Sequence, residues 1–243
     1  MNKDLSFLKE NIIAHRGMHN IEKGVPENSI KAFKEAIKNN YLIELDVHLL
    51  KDNTIVVFHD DNLKRMTGID KKIKDTTYEE VKKLKLQNTI CTIPTLEETL
   101  KIVNGKVPLI IELKTDRKTG LLEKELVKVL KDYKGKYAVK SFNPKTVYWF
   151  KKNYPSIIRG QLATGKKSNK NKIKNYMLKS MVLNKITKPD FISYDIKSVP
   201  NKILNKYKNK KTILTWTIKN KKDLEKAKKY CDNYICENID KII

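Results

Sequence analysis

Cysteine and long apolar runs are scarce in this chain of 243 residues. The three cysteines are Cys91, Cys231 and Cys236. Their odd number and the absence of a metal-type spacing favour reduced thiols and a cytoplasmic location. The first ten residues lack the apolar core of a secretory signal, and no apolar run approaches the ~18 residues that a membrane span needs. We therefore expect a cytoplasmic protein without a stable membrane anchor.

Arginine is also scarce, with four residues, although the formal net charge is +24. A basic excess can indicate nucleic acid, an anionic membrane surface or an acidic substrate. Here the lysines are spread over nearly every segment, whereas proteins that read base edges rely on arginine. This distribution favours a compositional bias over a charge-selected function. We expect no nucleic-acid partner, and peripheral contact with an anionic membrane remains open, as does the oligomeric state.

What the chain does contain is an unusual stretch at residues 42–61, LIELDVHLLKDNTIVVFHDD. Its first apolar run is interrupted by Glu44, Asp46 and His48. Alternate side chains of a β-strand point to the same face, so these three residues would share one face. Carboxylates inside an apolar strand are costly to bury without a compensating cation. The stretch therefore indicates half of a metal site with His59 nearby as a proton carrier. The alternative is a surface strand with one polar face.

Short apolar segments alternate with helical patterns along the whole chain. The predicted strands are residues 11–16, 42–50, 108–114, 137–142, 157–163, 190–196, 212–218 and 234–237, with 55–58 returning from a turn after the second. The predicted helices are residues 26–40, 77–86, 94–103, 121–133, 144–153, a polar region up to 183, 200–207 and 223–230. Alternating strands and helices imply a parallel sheet with helices outside.

Eight such units predict a single α/β domain over residues 1–243, a TIM (β/α)8 barrel. A small inserted subdomain is expected at about residues 62–92, after strand two, because this segment is too long for an ordinary loop. An open doubly wound sheet is the alternative, but no glycine-rich phosphate loop follows the first strand.

Polar residues concentrate at the predicted strand ends, where active sites of TIM barrels lie. They are His15, Arg16, Glu44, Asp46, His59, Glu112, Lys114, Ser141, Gln161 and Trp216. Three carboxylates converging on one point suit a hard cation, Mg²⁺ or Ca²⁺. The alternative is that one of them pairs with Lys114 or Arg16 instead.

The histidines and cations add the remaining chemistry. His15 and His59 suit acid and base roles, because imidazole titrates near neutral pH. Arg16 and Lys114 supply positive charge for a bound phosphate. For His48 a packing role is preferred over a place in the site.

Several motifs together resemble the glycerophosphodiester phosphodiesterases. They are IAHRG at 13–17, PENS at 26–29, ELDVH at 44–48, FHDD at 58–61 and IELK at 111–114. LKRMTG at 63–68 resembles the start of that family's insertion, and KSFN at 140–143 and TWT at 215–217 extend the likeness over nearly the whole chain.

The resemblance implies metal-dependent hydrolysis of glycerophosphodiesters, such as glycerophosphocholine or glycerophosphoethanolamine, to sn-glycerol 3-phosphate and an alcohol. It assigns His15 and His59 as the catalytic pair, and Arg16 and Lys114 as phosphate contacts. It assigns Glu44, Asp46 and Glu112 as ligands of the cation and Trp216 as a pocket wall. Glu27 and Asn28 are expected to brace the loop after the first strand.

Two departures and two rival functions complete the prediction. The chain ends strand eight with Glu237-Asn238, where many members carry an acidic residue and proline, and it has Asn53 where glycine is common.

The nearest rival is a lysophospholipase D-type phosphodiesterase acting on lysophospholipids. A nucleic-acid-binding or scaffold protein is a rival of another class, but it leaves the strand-end carboxylates unexplained.

Overall fold

A computed structural model describes residues 3–115, 118–165, 176 and 179–243. The strands, β1 to β9 in chain order, are Ile13–His15, Leu42–Leu49, Ile55–Val57, Leu109–Leu113, Tyr137–Ser141, Ile158–Ala163, Phe191–Asp195, Thr212–Ile218 and Asn233–Cys236. The helices of this described part, α1 to α11, are Phe7–Glu10, Ile30–Lys38, Lys64–Thr67, Tyr78–Val81, Leu96–Val103, Leu121–Leu130, Pro144–Asn153, Asn184–Thr187, Lys202–Asn205, Lys221–Tyr230 and Ile239–Ile242.

The strands belong to one sheet in the order β1-β9-β8-β7-β6-β5-β4-β2-β3, and β1 also pairs with β2. Strand β3 is the antiparallel partner of β2 in a hairpin. The cyclic order of the other strands, alternating with helices, is the (β/α)8 barrel class that the sequence predicts. By contacts between Cα atoms the chain divides into two compact units, residues 14–137 and residues 1–13 with 138–243.

In the unit of residues 14–137, β2 is buried along its whole length. Strand β4 lies parallel to it, with Asp46 opposite Glu112. Helix α2 begins after Ser29, whose hydroxyl oxygen accepts a hydrogen bond from Ala32 N at 3.2 Å. Such a cap satisfies one of the free N–H groups of the first turn. This unit therefore places two acidic strand positions side by side.

Residues 62–92 follow the β2–β3 hairpin and carry the short helices α3 and α4. Their apolar side chains form a buried cluster with residues of the hairpin and of the segment before α5. The cluster consists of Leu50, Val56, Phe58, Leu63, Met66, Ile73, Val81, Leu86 and Ile93. This shared cluster fixes the segment next to the end of β3. Burying apolar surface stabilises the folded state by about 25 cal/mol for each Å² removed from water.

In the unit of residues 1–13 and 138–243, β5 to β9 run parallel in sequence order. Asn233 Nδ2 donates to the carbonyl oxygens of Leu8 and Asn11 at 2.9 and 2.8 Å, which ties the N-terminal segment to β9. Lys3 Nζ pairs with Asp190 at 2.6 Å. The polar helix region predicted before residue 183 lies largely outside the described residues.

Several helices are shorter than the sequence predicts. The helix predicted at 26–40 begins only at Ile30, because Asn28 adopts a φ of 53°, which no α-helix contains. The helix predicted at 77–86 ends at Val81, and Leu86 N donates to Cys91 O at 2.9 Å as the chain turns back. The helix predicted at 200–207 is the single turn α9. In the described part of the chain, no helix is long and apolar enough to cross a membrane.

Candidate active site

Three carboxylates form a buried cluster on β2 and β4. Glu44, Asp46 and Glu112 are 0%, 1% and 6% exposed. One ligand oxygen of each lies within 4.8 Å of the others. The i, i+2 spacing on β2 and the register of Asp46 with Glu112 produce this convergence. Because the donors are oxygens only, the cluster fits a hard divalent cation rather than zinc.

Two permanent cations contact the same carboxylates. Lys114 Nζ lies 2.6 Å from Glu112 Oε1 and 3.0 Å from Asp46 Oδ1. Arg16 Nε lies 3.5 Å from Asp46 Oδ2. The ion pairs that the sequence offered as an alternative to a metal site are thus present beside the clustered carboxylates. The three carboxylates outnumber the two cations, and Arg16 also pairs with Glu27 at 2.7 Å, so these side chains carry an excess of formal negative charge.

The pKa values follow from burial and these charges. Burial would raise the pKa of Asp46, but the charges of Lys114, His59 and Arg16 outweigh it and hold this pKa far below the usual range. Burial would lower the pKa of Lys114, but Asp46 and Glu112 raise it above its ordinary value. Both groups are therefore charged at neutral pH.

The end of β1 brings His15 and Arg16 to the cluster. His15 Nε2 lies 3.8 Å from Glu44 Oε2, and the backbone N–H of Arg16 donates to the same oxygen at 3.1 Å. Arg16 has a φ of 56°, so the chain turns sharply after the strand. Gly17 continues the turn with a φ of 78°, and a Cβ there would lie 2.9 Å from the backbone carbon of Ala32. Glycine is required because α2 packs directly against the turn.

The loop before α2 supplies two further contacts. Asn28 Nδ2 donates to Asp46 Oδ2 at 3.0 Å, and Asn28 N donates to Arg16 O at 2.9 Å. Glu27 Oε1 accepts from Arg16 Nη1 at 2.7 Å. The sequence predicts a bracing role for both residues, but it does not show that Asn28 contacts an acidic cluster residue directly. The PENS motif is the signal that marks this loop.

His59 follows the end of β3. Its Nδ1 lies 2.6 Å from Asp60 Oδ1, and Phe58 N donates to Asp46 O at 3.0 Å immediately before it. His48 Nε2 lies 3.2 Å from the carbonyl oxygen of His59. His48 is buried and supports the backbone of His59, which agrees with its predicted packing role. The contact of Asp60 with the imidazole is one that the sequence prediction missed.

Trp216 lies on β8, in the unit of residues 1–13 and 138–243. Its indole N–H donates to Ser193 O at 3.2 Å, and its ring meets Phe142 edge-on at a centroid distance of 5.6 Å. On β6, Gln161 Nε2 donates to Ser141 O at 3.1 Å. These contacts fix the side chains within their own unit, and the pocket-wall role of Trp216 stays a prediction.

Fold and site together define a (β/α)8-barrel protein with an acidic cluster, paired cations and two histidines at strand ends. The chain belongs to the glycerophosphoryl diester phosphodiesterase family, whose profile matches residues 15–239. The family predicted from the sequence motifs is therefore confirmed.

Individual relatives agree with this assignment. YhdW of Bacillus subtilis (strain 168), named as a candidate glycerophosphodiester phosphodiesterase, is 41% identical over 155 residues, which are 60% of this chain and 63% of that protein. The chain spans about half to two thirds of the length of the curated relatives it matches first.

Two solved structures share the fold. A glycerophosphodiester phosphodiesterase of Parabacteroides distasonis has 27% identity and a TM-score of 0.76, with 97% of this chain and 94% of that chain covered. A phosphodiesterase of Oleispira antarctica, solved in complex with the product sn-glycerol-3-phosphate, has 22% identity and a TM-score of 0.79, with 94% and 93% covered.

Proposed function

We propose that this protein is a metal-dependent glycerophosphodiester phosphodiesterase that releases sn-glycerol 3-phosphate and an alcohol. The observation that carries the proposal is the buried cluster of Glu44, Asp46 and Glu112 beside Lys114, Arg16 and two histidines. Family membership supports the reaction class, and the product in the Oleispira antarctica phosphodiesterase supports the glycerol phosphate half.

The cluster residues would hold Mg²⁺ or Ca²⁺, which supplies positive charge for the phosphate oxygens when bound. Carboxylates outnumber cations among these side chains, since Arg16 also pairs with Glu27 at 2.7 Å, so a divalent cation would compensate the excess negative charge. Arg16 and Lys114 contribute charge-assisted contacts to the phosphate.

The two histidines transfer protons in this proposal. One takes a proton from the attacking group, and the other gives a proton to the leaving alcohol oxygen. The charged carboxylate of Asp60 can only accept a hydrogen bond, so it holds the Nδ1–H tautomer of His59 and leaves Nε2 for proton transfer. Both routes, direct attack by water and attack by the glycerol hydroxyl through a cyclic phosphate, use the same pair.

The decisive test measures sn-glycerol 3-phosphate released from glycerophosphocholine and glycerophosphoethanolamine by the full chain. We expect turnover that stops with EDTA and returns with Mg²⁺ or Ca²⁺. We expect His15→Ala and His59→Ala each to lower kcat at least 100-fold, since general acid–base catalysis contributes typically about 10²–10⁴-fold. Thermal melting of the variants would establish that they fold. Full activity in EDTA, or near-wild-type activity in either folded variant, would refute the corresponding assignment.

Lysophosphatidylcholine belongs in the same substrate panel. Preferential turnover of this lipid would replace the glycerophosphodiester assignment by the lysophospholipase D alternative. The remaining expectations are proposals of the same kind: one functional domain over residues 1–243, Trp216 as a pocket wall, no nucleic-acid partner, and a cytoplasmic location that rests on the free cysteines.

A further inference from the structure

Arg65 connects two loops of the candidate site. It lies in α3, within the segment after the β2–β3 hairpin. Its Nη2 donates to Glu27 Oε1 at 2.7 Å and to Asp60 Oδ1 at 3.0 Å, while Nη1 and Nε donate to the second oxygens of Glu27 and Asp60. One guanidinium therefore binds two carboxylates, each through both oxygens.

Each of these carboxylates also contacts a site residue. Glu27 Oε1 accepts from Arg16 Nη1 at 2.7 Å, and Asp60 Oδ1 lies 2.6 Å from His59 Nδ1. The five side chains form a continuous series in the order Arg16, Glu27, Arg65, Asp60, His59. Arg65 stands at its centre, and both branches end on a residue that the proposed function uses.

Charge strengthens this series. Burial would raise the pKa of Asp60, but hydrogen bonds from His59 and Arg65 lower it well below its usual range. Burial likewise would raise the pKa of Glu27, and the hydrogen bond from Arg65 and the charge of Arg16 lower it instead. Both carboxylates are ionised at neutral pH, so the hydrogen bonds in the series are charge-assisted, the stronger kind.

We propose that Arg65 is a positioning residue of this site, which orients His59 through Asp60 and Arg16 through Glu27. The inference rests on the proposed function for its kinetic consequences, but the geometry it asserts is independent of the substrate. Arginine is required because its planar fork can bind two carboxylates at once, whereas the single ammonium of lysine cannot hold both bidentately. The inserted segment thus takes part in the site through one side chain.

The kinetic test compares Arg65→Gln, Asp60→Asn and the double variant in the full chain with metal present. In metal sites, loss of a side chain that orients a ligand typically costs about 10–100-fold in activity, and we take the same order for a side chain that orients a catalytic histidine. We expect Asp60→Asn to lower kcat by that factor. Arg65→Gln should lower kcat similarly and also raise KM, because it releases Arg16 as well. The double variant should keep the kcat of Asp60→Asn, because both changes act on kcat through His59.

Lys64→Gln is the matched control. Lys64 precedes Arg65 in the same helix, and its ammonium pairs with Asp70 at 2.8 Å at an exposed position away from the series. We expect kcat and KM of this variant within twofold of wild type. Multiplied kcat losses in the double variant, or an Arg65→Gln enzyme with unchanged kcat and KM, would refute the positioning role.

A second readout does not need turnover. The ¹⁵N chemical shifts of the His59 ring, assigned with a His59→Gln variant, report which nitrogen carries the proton in the neutral imidazole. Wild type and Lys64→Gln should show the Nδ1–H tautomer, and Arg65→Gln should shift toward a mixture. An unchanged spectrum in Arg65→Gln would overturn the proposal. If wild type hydrolyses no phosphodiester, the proposed function fails while this spectrum still decides the role of Arg65.

Discussion

At the scale of single residues, Lys114 shows how the acidic cluster is tolerated in the core. Its ammonium lies within 3.0 Å of two buried carboxylates, Glu112 and Asp46. Removing one partner of a buried ion pair is strongly destabilising, because it leaves uncompensated charge behind. The two carboxylates would then repel each other and Glu44, with Arg16 beside Asp46 as the remaining cation.

We predict that Lys114→Met lowers the free energy of unfolding by about 3–5 kcal/mol in EDTA. Because a bound divalent cation would compensate the carboxylates, millimolar Mg²⁺ or Ca²⁺ should recover part of the loss. Urea denaturation with and without metal measures both effects. Lys106→Met, the same change at an exposed position, is the control and should alter stability by less than about 0.5 kcal/mol. Equal stability of the two variants in EDTA would contradict the prediction.

At the scale of elements, the turn from β1 to α2 places the site's first histidine and arginine. The turn depends on three left-handed residues, Arg16, Gly17 and Asn28, which no strand or helix pattern reveals. The sequence indicates a strand before Gly17 and a helix after Pro26, and both exist. Where the strand ends and the helix begins depends on a backbone hydrogen bond from Asn28 N to Arg16 O, which joins residues twelve positions apart.

We predict that Gly17→Ala destabilises the fold by roughly 2–5 kcal/mol, the sum of about 1–2 kcal/mol for a left-handed backbone and about 1–3 kcal/mol for overpacking. A Cβ at position 17 would lie 2.9 Å from Ala32 Cβ and from Phe33 Cδ1. Gly68→Ala is a close control, since Gly68 has a φ of 79° but a Cβ there would meet no atom within 4 Å. Gly68→Ala should lower the free energy of unfolding by about 1–2 kcal/mol, the cost of the left-handed backbone alone. Chemical denaturation of both variants tests the difference, and equal losses would contradict the packing argument.

At the scale of the whole molecule, the formal charge of +24 is the dominant property. Lysines on the surface repel one another, and this repulsion is present in the compact state more than in the unfolded chain. Salt weakens it, because the Debye length falls from about 30 Å at 0.01 M to about 8 Å at 0.15 M ionic strength.

We predict that the midpoint of thermal unfolding rises when NaCl is increased from about 0.01 to 0.15 M. Calorimetry with EDTA present measures the shift. Tetramethylammonium chloride should give the same rise, because screening does not depend on the identity of the cation. A midpoint that stays constant or falls would show that surface repulsion does not limit stability.

The sequence by itself determined the (β/α)8 class, the family, and the residue types at the strand ends. Periodicity fixes which strand residues share a face, so Glu44 with Asp46 could be derived without coordinates. Only the tertiary structure decided what each group contacts. The register of β2 with β4 places Glu112 opposite Asp46, and Arg65 reaches Glu27 across 38 positions of chain. Such contacts depend on the packing of distant segments, whereas local patterns report only neighbours within a few residues.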